Sequence, residues 1–282
     1  MNDPIPLARP DLGCAERAAV NAVLDSGRLS LGPALARFEA ALAEAAGVAG
    51  AVAVNSGTSA LQLALEAAGV GPGDEVITTS LSFVATANAV RRVGALPVFA
   101  DVEPETLNLD PVAAAALVGP ATRAILVVHL FGHMADMAAF RTLADSRGLA
   151  LLEDACEALG SHRDGLRAGG GGRAGVFGFY ANKIITSAEG GAIVSDDAAL
   201  LDRCRRLRNH GREAGGDPFD DPTPGFNFRL SELHAALGAA QMDRLDSLID
   251  TRSALAEAYN RRLAGIPGLE LPPPAGPSER VA

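Results

Sequence analysis

The chain of 282 residues is long enough to bury a sizeable core in one or two domains. Its apolar fraction of 48% and charged fraction of 21% are those of an ordinary globular protein. The net charge of −10 excludes the basic face that nucleic-acid-binding proteins need, so no nucleic-acid partner is expected.

The helices and strands can be predicted in chain order. Apolar, β-branched runs alternate with alanine-rich segments of helical period, which predicts an α/β fold with a largely parallel sheet between helices. Strands are predicted over 51–54, 75–79, 97–101, 124–129, 149–153, 176–179 and 191–194. Helices are predicted over 15–24, 38–46, 58–68, 83–93, 111–117, 137–146, 198–207 and 231–263, the last with a break near Asp246. Asp110 and Asp136 are suitable N-caps for the helices that follow them.

Three segments are predicted to lie outside the regular elements. The four consecutive glycines at 169–172 indicate a mobile hairpin or loop, either a lid or a disordered connection. A polar loop is predicted over 211–225. The last segment, 267–282, is rich in proline.

Nothing in the chain is typical of a secreted or membrane protein. Residues 1–10 are polar and interrupted by prolines, unlike a secretory leader, and every apolar run is divided before it reaches the length of a membrane span. The cysteines Cys14, Cys156 and Cys204 are widely spaced and fit neither a disulfide framework nor a zinc site. We therefore expect a cytoplasmic protein with no membrane partner and no bound metal.

Lys183 is the single lysine of the chain, since the other 23 of its 24 basic residues are arginines. Arginine cannot replace lysine where a neutral, nucleophilic amine is required, because the guanidinium group stays protonated. The alternative is that codon bias left one lysine by chance. Lys183 follows a predicted strand, where a desolvated amine can form a Schiff base with an aldehyde cofactor.

The segment 54–60 predicts a strand that ends at Val54, a turn of the chain at Gly57 and a helix that begins with Thr58 and Ser59. The N-terminus of a helix exposes unpaired N–H groups and the positive end of the helix dipole, and both favour a phosphate group. The alternative is a helix start capped for local reasons only.

An acidic pair, Glu153 and Asp154, ends an apolar strand, which is where open α/β sheets bind their ligands. An aspartate at this place can pair with a protonated pyridine nitrogen. The alternatives are a helix-capping carboxylate and a metal ligand, although no histidine and carboxylate cluster at metal-binding spacing accompanies the pair. Phe83, after another strand end, is either a ring that stacks on a planar cofactor or an ordinary core residue.

In this order and spacing, the motifs resemble the DegT/DnrJ/EryC1/StrS aminotransferases, which transfer an amino group to keto-sugars attached to a nucleotide. The resemblance runs almost from end to end. It rests on the segments 5–7, 9–10, 27–32, 38–39, 56–58, 71–76, 83–88, 128–132, 153–158, 182–183, 189–191, 208–211 and 226–229.

The resemblance implies the fold-type-I architecture of pyridoxal-phosphate enzymes. We expect a large domain over 1–245, with an N-terminal arm and a mixed, mostly parallel seven-stranded sheet, and the beginning of a small C-terminal domain over 246–282. It also implies a homodimer with shared active sites, a nucleotide-sugar substrate, and glutamate or glutamine as the amino donor.

The resemblance also assigns residues to the cofactor, pyridoxal 5'-phosphate. Lys183 forms the Schiff base and moves the proton, while Asp154 pairs with the pyridinium and Phe83 covers one face of the ring. Asn227 reaches the phosphate in the partner subunit, and Arg229 is a candidate for substrate binding at that shared site. The phosphate of the same subunit is held by Gly57, Thr58 and Ser59.

Three residues depart from the family pattern. Glu157 stands beside the cofactor where many members have glutamine or histidine, and it resembles the perosamine-synthase-like branch, which aminates C4 of a GDP-linked 4-keto-6-deoxyhexose. Gly178 replaces a serine that often contacts the phosphate, and Ala188 replaces a common glycine. The presence of Lys183 argues against the related dehydratases, which have histidine there.

Two alternatives stay open beside the aminotransferase. Family members run longer than this chain, so we expect a C-terminal truncation, and a non-catalytic remnant that still binds the cofactor is the second hypothesis. A nicotinamide oxidoreductase is the third, but the first predicted strand is not followed by a G-x-G-x-x-G turn. Whether His129, His133 or His210 contacts a ligand or has a structural role is also open.

Overall fold

The computed structural model describes residues 6, 8–213, 224–276 and 278–282. Most of the predicted loop 211–225 therefore lies outside the described residues. Helices are found at α1 Cys14–Ser26, α2 Pro33–Ala46, α3 Gly57–Ala67, α4 Ala85–Arg92, α5 Pro111–Ala116, α6 Met137–Arg147, α7 Ala198–Arg208, α8 Glu232–Met242 and α9 Leu245–Leu263. Strands are found at β1 Gly50–Val54, β2 Glu75–Thr79, β3 Leu96–Ala100, β4 Thr122–Val128, β5 Ala150–Asp154, β6 His162–Arg163, β7 Leu166–Arg167, β8 Ala174–Gly178, β9 Gly191–Ser195 and β10 Glu279–Arg280.

The described residues form a seven-stranded sheet in the order β1-β9-β8-β5-β4-β2-β3. The neighbours from β8 through β5, β4 and β2 to β3 are parallel, and β9 is antiparallel to both β1 and β8. The predicted α/β fold with a mixed, mostly parallel sheet is therefore confirmed. Each predicted strand lies within two residues of an observed one, because the buried runs of apolar residues mark the strands clearly.

Helices cover both faces of the sheet, and alternate strand residues contribute to two separate cores. On β5, Leu151 belongs to the core formed with α2, α6 and α8, whereas Leu152 belongs to the core formed with α3, α4 and α7. Side chains of a strand alternate between its two faces, so Glu153 follows the side of Leu151, and Asp154 that of Leu152. This alternation separates the two acidic side chains.

The helix predictions differ from the structure mainly at their ends. Helix α2 begins at Pro33 rather than near residue 38, since proline at the first helical position is already set for the helix. The predicted helix 231–263 is divided between Met242 and Leu245, close to the expected break. Asp110 and Asp136 do cap α5 and α6. The domain boundary at 245/246 stays a prediction.

A second sheet of three short strands, in the order β10-β6-β7, was not expected. The guanidinium group of Arg280 on β10 contacts Asp246 at 2.7 Å and Asp250 at 3.1 Å on α9. Strands of two residues carry no detectable alternation, so the sequence pattern could not reveal them. Among the described residues, no helix combines the length and the apolar character needed to cross a membrane.

Candidate active site

The ends of β5 and β8 meet the first turn of α3, and part of the predicted site lies at this junction. A Cβ atom placed on Gly57 would lie 3.2 Å from Sγ of Cys156 and 3.3 Å from Cα of Gly178. The three elements are thus in direct contact, and only a residue without a side chain fits at Gly57 without a shift. This is the carboxyl edge of the parallel strands, as the sequence predicted.

Asp154 is a nearly buried carboxylate at this edge, with 7% of its surface exposed. Its Oδ2 accepts a hydrogen bond from the Thr86 hydroxyl at 2.7 Å, and its Oδ1 accepts from the Cys156 N–H at 3.3 Å. Within the described part of the chain, no lysine or arginine forms an ion pair with it. A buried carboxylate without a cation is unfavourable on its own, so the site is suited to a cationic ligand atom.

The Cys156 thiol is close enough to Asp154 and Lys183 to respond to both charges. Burial raises the pKa of Cys156 well above its ordinary value, the Asp154 carboxylate raises it further, and the positive charge of Lys183 lowers it. The thiol is therefore a neutral packing group and not a nucleophile. The charges of Asp154 and Lys183 thus both act on this one sulfur.

Lys183 is held by Glu157. Its Nζ atom lies 3.3 Å from Oε1 of Glu157, and the other carboxylate oxygen accepts the N–H of Phe131 at 3.1 Å. Phe131 has a positive φ of 55°, so the short turn Leu130–Gly132 is held in an uncommon conformation. The guanidinium group of Arg252 on α9 binds the carbonyl oxygen of Lys183 at 2.9 Å.

The first turn of α3 is capped by Ser56, whose hydroxyl accepts the N–H of Ser59 at 3.1 Å. Gly57 and Thr58 precede this bonded residue, at the positively polarised end of the helix. Phe83 is 78% exposed and lies three residues before Thr86, the hydroxyl donor to Asp154. The alternative of a core phenylalanine is therefore wrong.

The two predicted residues of the later segment pair with different parts of the chain. Asn227 is exposed and forms an isolated bridge with Asn209, while Arg229 forms one with Val54. The Arg229 guanidinium group donates to Oδ1 of Asn209 at 2.8 Å. In the single chain, the Arg229 side chain is thus bonded to Asn209, and the side chain of Asn227 is exposed to solvent.

Two groups in the site region have structural roles. His129 is fully buried and bonded to Glu153 at 2.7 Å, so it does not contact solvent or a ligand. The glycines at 169–172 donate backbone N–H groups to the same Glu153, and the prediction of a lid or disordered loop is wrong. Sequence patterns alone did not indicate the site contacts of Thr86, Phe131 and Arg252.

No cluster of three metal-binding side chains occurs in the ranges that the structure describes.

Similarity to solved structures defines the class of the protein. The DesV structure from Streptomyces venezuelae, in complex with a ketimine intermediate, matches with a TM-score of 0.90 and 44% identity over 94% of this chain and 71% of that chain. At this identity, the likeness extends beyond the fold. The protein is an enzyme of the sugar aminotransferase class.

The comparison of sequences makes the assignment specific. The model of the DegT/DnrJ/EryC1/StrS aminotransferase family matches residues 10–281, and the chain belongs to this family. GDP-perosamine synthase of Vibrio cholerae is 40% identical over 264 residues, covering 93% of this chain and 72% of the relative. The dTDP-3-amino-3,4,6-trideoxy-alpha-D-glucose transaminase of Streptomyces venezuelae is 44% identical over 275 residues, covering 97% of this chain and 72% of that relative. The resemblance seen in the sequence is confirmed, and the enzyme acts in nucleotide-sugar biosynthesis.

Proposed function

We propose that the enzyme uses pyridoxal 5'-phosphate, bound through Lys183, to move an amino group from glutamate or glutamine to C4 of a nucleotide-linked 4-keto-6-deoxyhexose. The main support for this cofactor is the Asp154 carboxylate, which is 7% exposed and has no cationic partner among the described residues. A protonated pyridine nitrogen is a cation of the right kind for this carboxylate. Lys183 provides the amine that the aldehyde requires.

The remaining predicted residues fit the other parts of the cofactor. When bound, pyridoxal phosphate supplies an aldehyde that carries the amino group and a ring that accepts electron density. Gly57, Thr58 and Ser59 would hold the phosphate, since they form the first turn of α3. The exposed ring of Phe83 is available to cover a planar group.

Three further residues orient the groups that would contact the cofactor. Thr86 orients the Asp154 carboxylate through its hydroxyl. Glu157 holds the Lys183 ammonium group at 3.3 Å, and it is suited to receive or return a proton as Lys183 changes its charge. Arg252 binds the main chain of Lys183 and so limits where Nζ can move.

The exposed side chain of Asn227 supports a homodimer with shared sites. In this proposal, Asn227 completes the phosphate site of the partner subunit, and Arg229 contacts the substrate there. The cytoplasmic location remains a prediction from the cysteines. It does not enter the choice of reaction.

The position that is aminated is a finer part of the proposal. Glu157 and the 40% identity with GDP-perosamine synthase favour C4. The other relative is named for a 3-amino sugar, and its identity of 44% is similar. The test is to offer the purified enzyme a GDP-linked 4-keto-6-deoxyhexose and a dTDP-linked 3-keto sugar, each with glutamate, and to locate the new amine by mass spectrometry and NMR. Turnover of the 3-keto substrate alone would contradict the C4 proposal.

The cofactor itself is tested by absorbance. Wild type mixed with pyridoxal phosphate should develop a yellow band, which borohydride reduction locks onto a single peptide because Lys183 is the single lysine. Lys183→Ala should develop no such band, and the α-amino group serves as the internal control for unspecific labelling. Folded wild-type protein without a band would contradict the proposal.

Adding glutamate to the yellow protein separates the enzyme from a non-catalytic remnant. An active enzyme loses the yellow band as the amino group is transferred to the cofactor, and it releases 2-oxoglutarate. A remnant stays yellow.

A further inference from the structure

Glu153, the residue before Asp154, is a fully buried carboxylate with four hydrogen-bond donors. Its Oε1 accepts the N–H groups of Gly171 at 2.6 Å and Gly172 at 2.7 Å. Its Oε2 accepts the N–H of Gly169 at 2.9 Å and is 2.7 Å from Nε2 of His129. Each oxygen therefore has two donors, which is the number that the carboxylate lone pairs can serve well.

The partner His129 is a neutral imidazole. The N–H of Ala135 donates to its Nδ1 at 3.2 Å, so that nitrogen carries a lone pair. The proton must then be on Nε2, from which it is donated to Glu153. The carboxylate is thus stabilised by three backbone amides and one neutral ring, an arrangement that binds an anion without a counter-charge.

The glycines are required by close backbone contacts around this carboxylate. A Cβ atom on Gly172 would lie 2.6 Å from the carbonyl oxygen of Leu151. One on Gly175 would lie 2.3 Å from Cα of Gly169. The turn 169–172 packs against Leu151 of β5 and Gly175 of β8, and Arg173 connects it to β8.

This arrangement links the elements that carry the site. The main-chain N–H of His129, at the end of β4, donates to the carbonyl oxygen of Asp154 at 3.1 Å. Strand β5 ends at Asp154, and β8 leads through Gly178 to the loop of Lys183. The Glu153 carboxylate binds β5 to the segment that leads into β8 and to His129 at the end of β4. It therefore holds together the strands whose carboxyl ends carry the site.

We propose that Glu153 is a positioning residue for the active site, acting through the glycine turn and His129 to fix Asp154 relative to Lys183. This proposal rests on the proposed function, which supplies the ligand, pyridoxal phosphate, whose binding Glu153 would affect. This role needs the negative charge and both carboxylate oxygens of Glu153, because four donors bind to them. A glutamine would present its NH₂ group to two donors, and one oxygen cannot accept four N–H groups.

The test compares Glu153→Gln with Glu232→Gln. Glu232 is an equally suitable control because it is 1% exposed and accepts the N–H groups of Gly32, Ala34 and Leu35 at the start of α2. Both variants are expected to lose thermal stability. Only Glu153→Gln should weaken the binding of pyridoxal phosphate, by about tenfold, the lower end of what orienting partners contribute at other sites. The pH midpoint of its yellow band should also move.

Equal cofactor binding and an equal pH midpoint in Glu153→Gln and wild type would overturn the proposal, as would equal changes in the two variants. If Glu153→Gln does not fold, His129→Ala decides in its place, since it removes one donor and keeps the carboxylate. Failure of the proposed function is distinct, because wild type would then develop no band at all.

Discussion

The Nζ atom of Lys183 lies 3.3 Å from Oε1 of Glu157, and Glu157 is in turn held by the N–H of Phe131. The lysine amine must leave this contact before it can react with an aldehyde. The pair therefore ties the reactivity of the lysine to Glu157, one of the three residues that depart from the family pattern.

Glu157→Gln should make Lys183 of the cofactor-free protein more reactive. A partly exposed ion pair contributes at most about 1 kcal/mol, so labelling by an amine reagent should become about two to five times faster. Mass spectrometry reads this directly, because the chain has no other lysine. Glu257→Gln, on the outer face of α9, is the control. Slower or unchanged labelling of Glu157→Gln would show that the ion pair does not restrain the amine.

Thr86→Val should weaken both the fold and the cofactor site. The Thr86 hydroxyl donates to the Asp154 carboxylate at 2.7 Å, and a hydrogen bond to a charged group contributes about 1.5–3 kcal/mol. The free energy of unfolding, from urea titration, should fall by about this amount, and cofactor affinity should fall as well. Thr78→Val is matched, since the buried Thr78 hydroxyl donates to the neutral carbonyl oxygen of Leu126 at 2.8 Å. It should leave cofactor affinity unchanged.

Gly178→Ser should restore the hydroxyl that many family members have, but only if space is made for it. A Cβ atom on Gly178 would lie 3.3 Å from Sγ of Cys156, so the single variant should lose about 1 kcal/mol of stability through crowding. The double variant with Cys156→Ala should recover stability and bind pyridoxal phosphate more tightly than Cys156→Ala alone. If the double variant and Cys156→Ala bind pyridoxal phosphate equally well, the added hydroxyl does not reach the phosphate.

Asp197→Ala should show a pH-dependent loss of stability. The Leu200 N–H, and with it the Arg173 guanidinium group, outweighs burial and lowers the pKa of Asp197 below its ordinary value of 3.8. A lowered native pKa stabilises the fold above that value, and this contribution is lost as the pH falls through the native pKa. At neutral pH, removing the helix cap should cost about 1 kcal/mol.

Thermal unfolding from neutral pH to well below 3.8 measures this effect. The gap between wild type and Asp197→Ala should narrow in acid. Asp197→Asn keeps a good N-cap without the charge, so it should lose less stability than Asp197→Ala at neutral pH and approach wild type as the pH falls. A gap that is constant with pH would refute the prediction.

Much of the fold could be predicted because it depends on local patterns. The strands of the main sheet are buried on both faces and stand out as apolar runs, and Asp110 and Asp136 are placed where helix caps are needed. The short strands β6, β7 and β10 could not be predicted, because a strand of two residues leaves no periodic signal.

By itself, the sequence determined the fold class and the family, and it predicted the residues proposed for the chemistry, since a glycine-led helix start, an aspartate at a strand end and a single lysine are visible along the chain. Only the tertiary structure decided which groups bond to each of the two adjacent carboxylates. Glu153 and Asp154 are neighbours in sequence, but a strand directs them to opposite faces. One is saturated by glycine amides and His129, and the other is left without a described cation in the site. The reason is physical: hydrogen-bond saturation depends on which distant groups the fold brings within 3 Å, and spacing along the chain does not encode this.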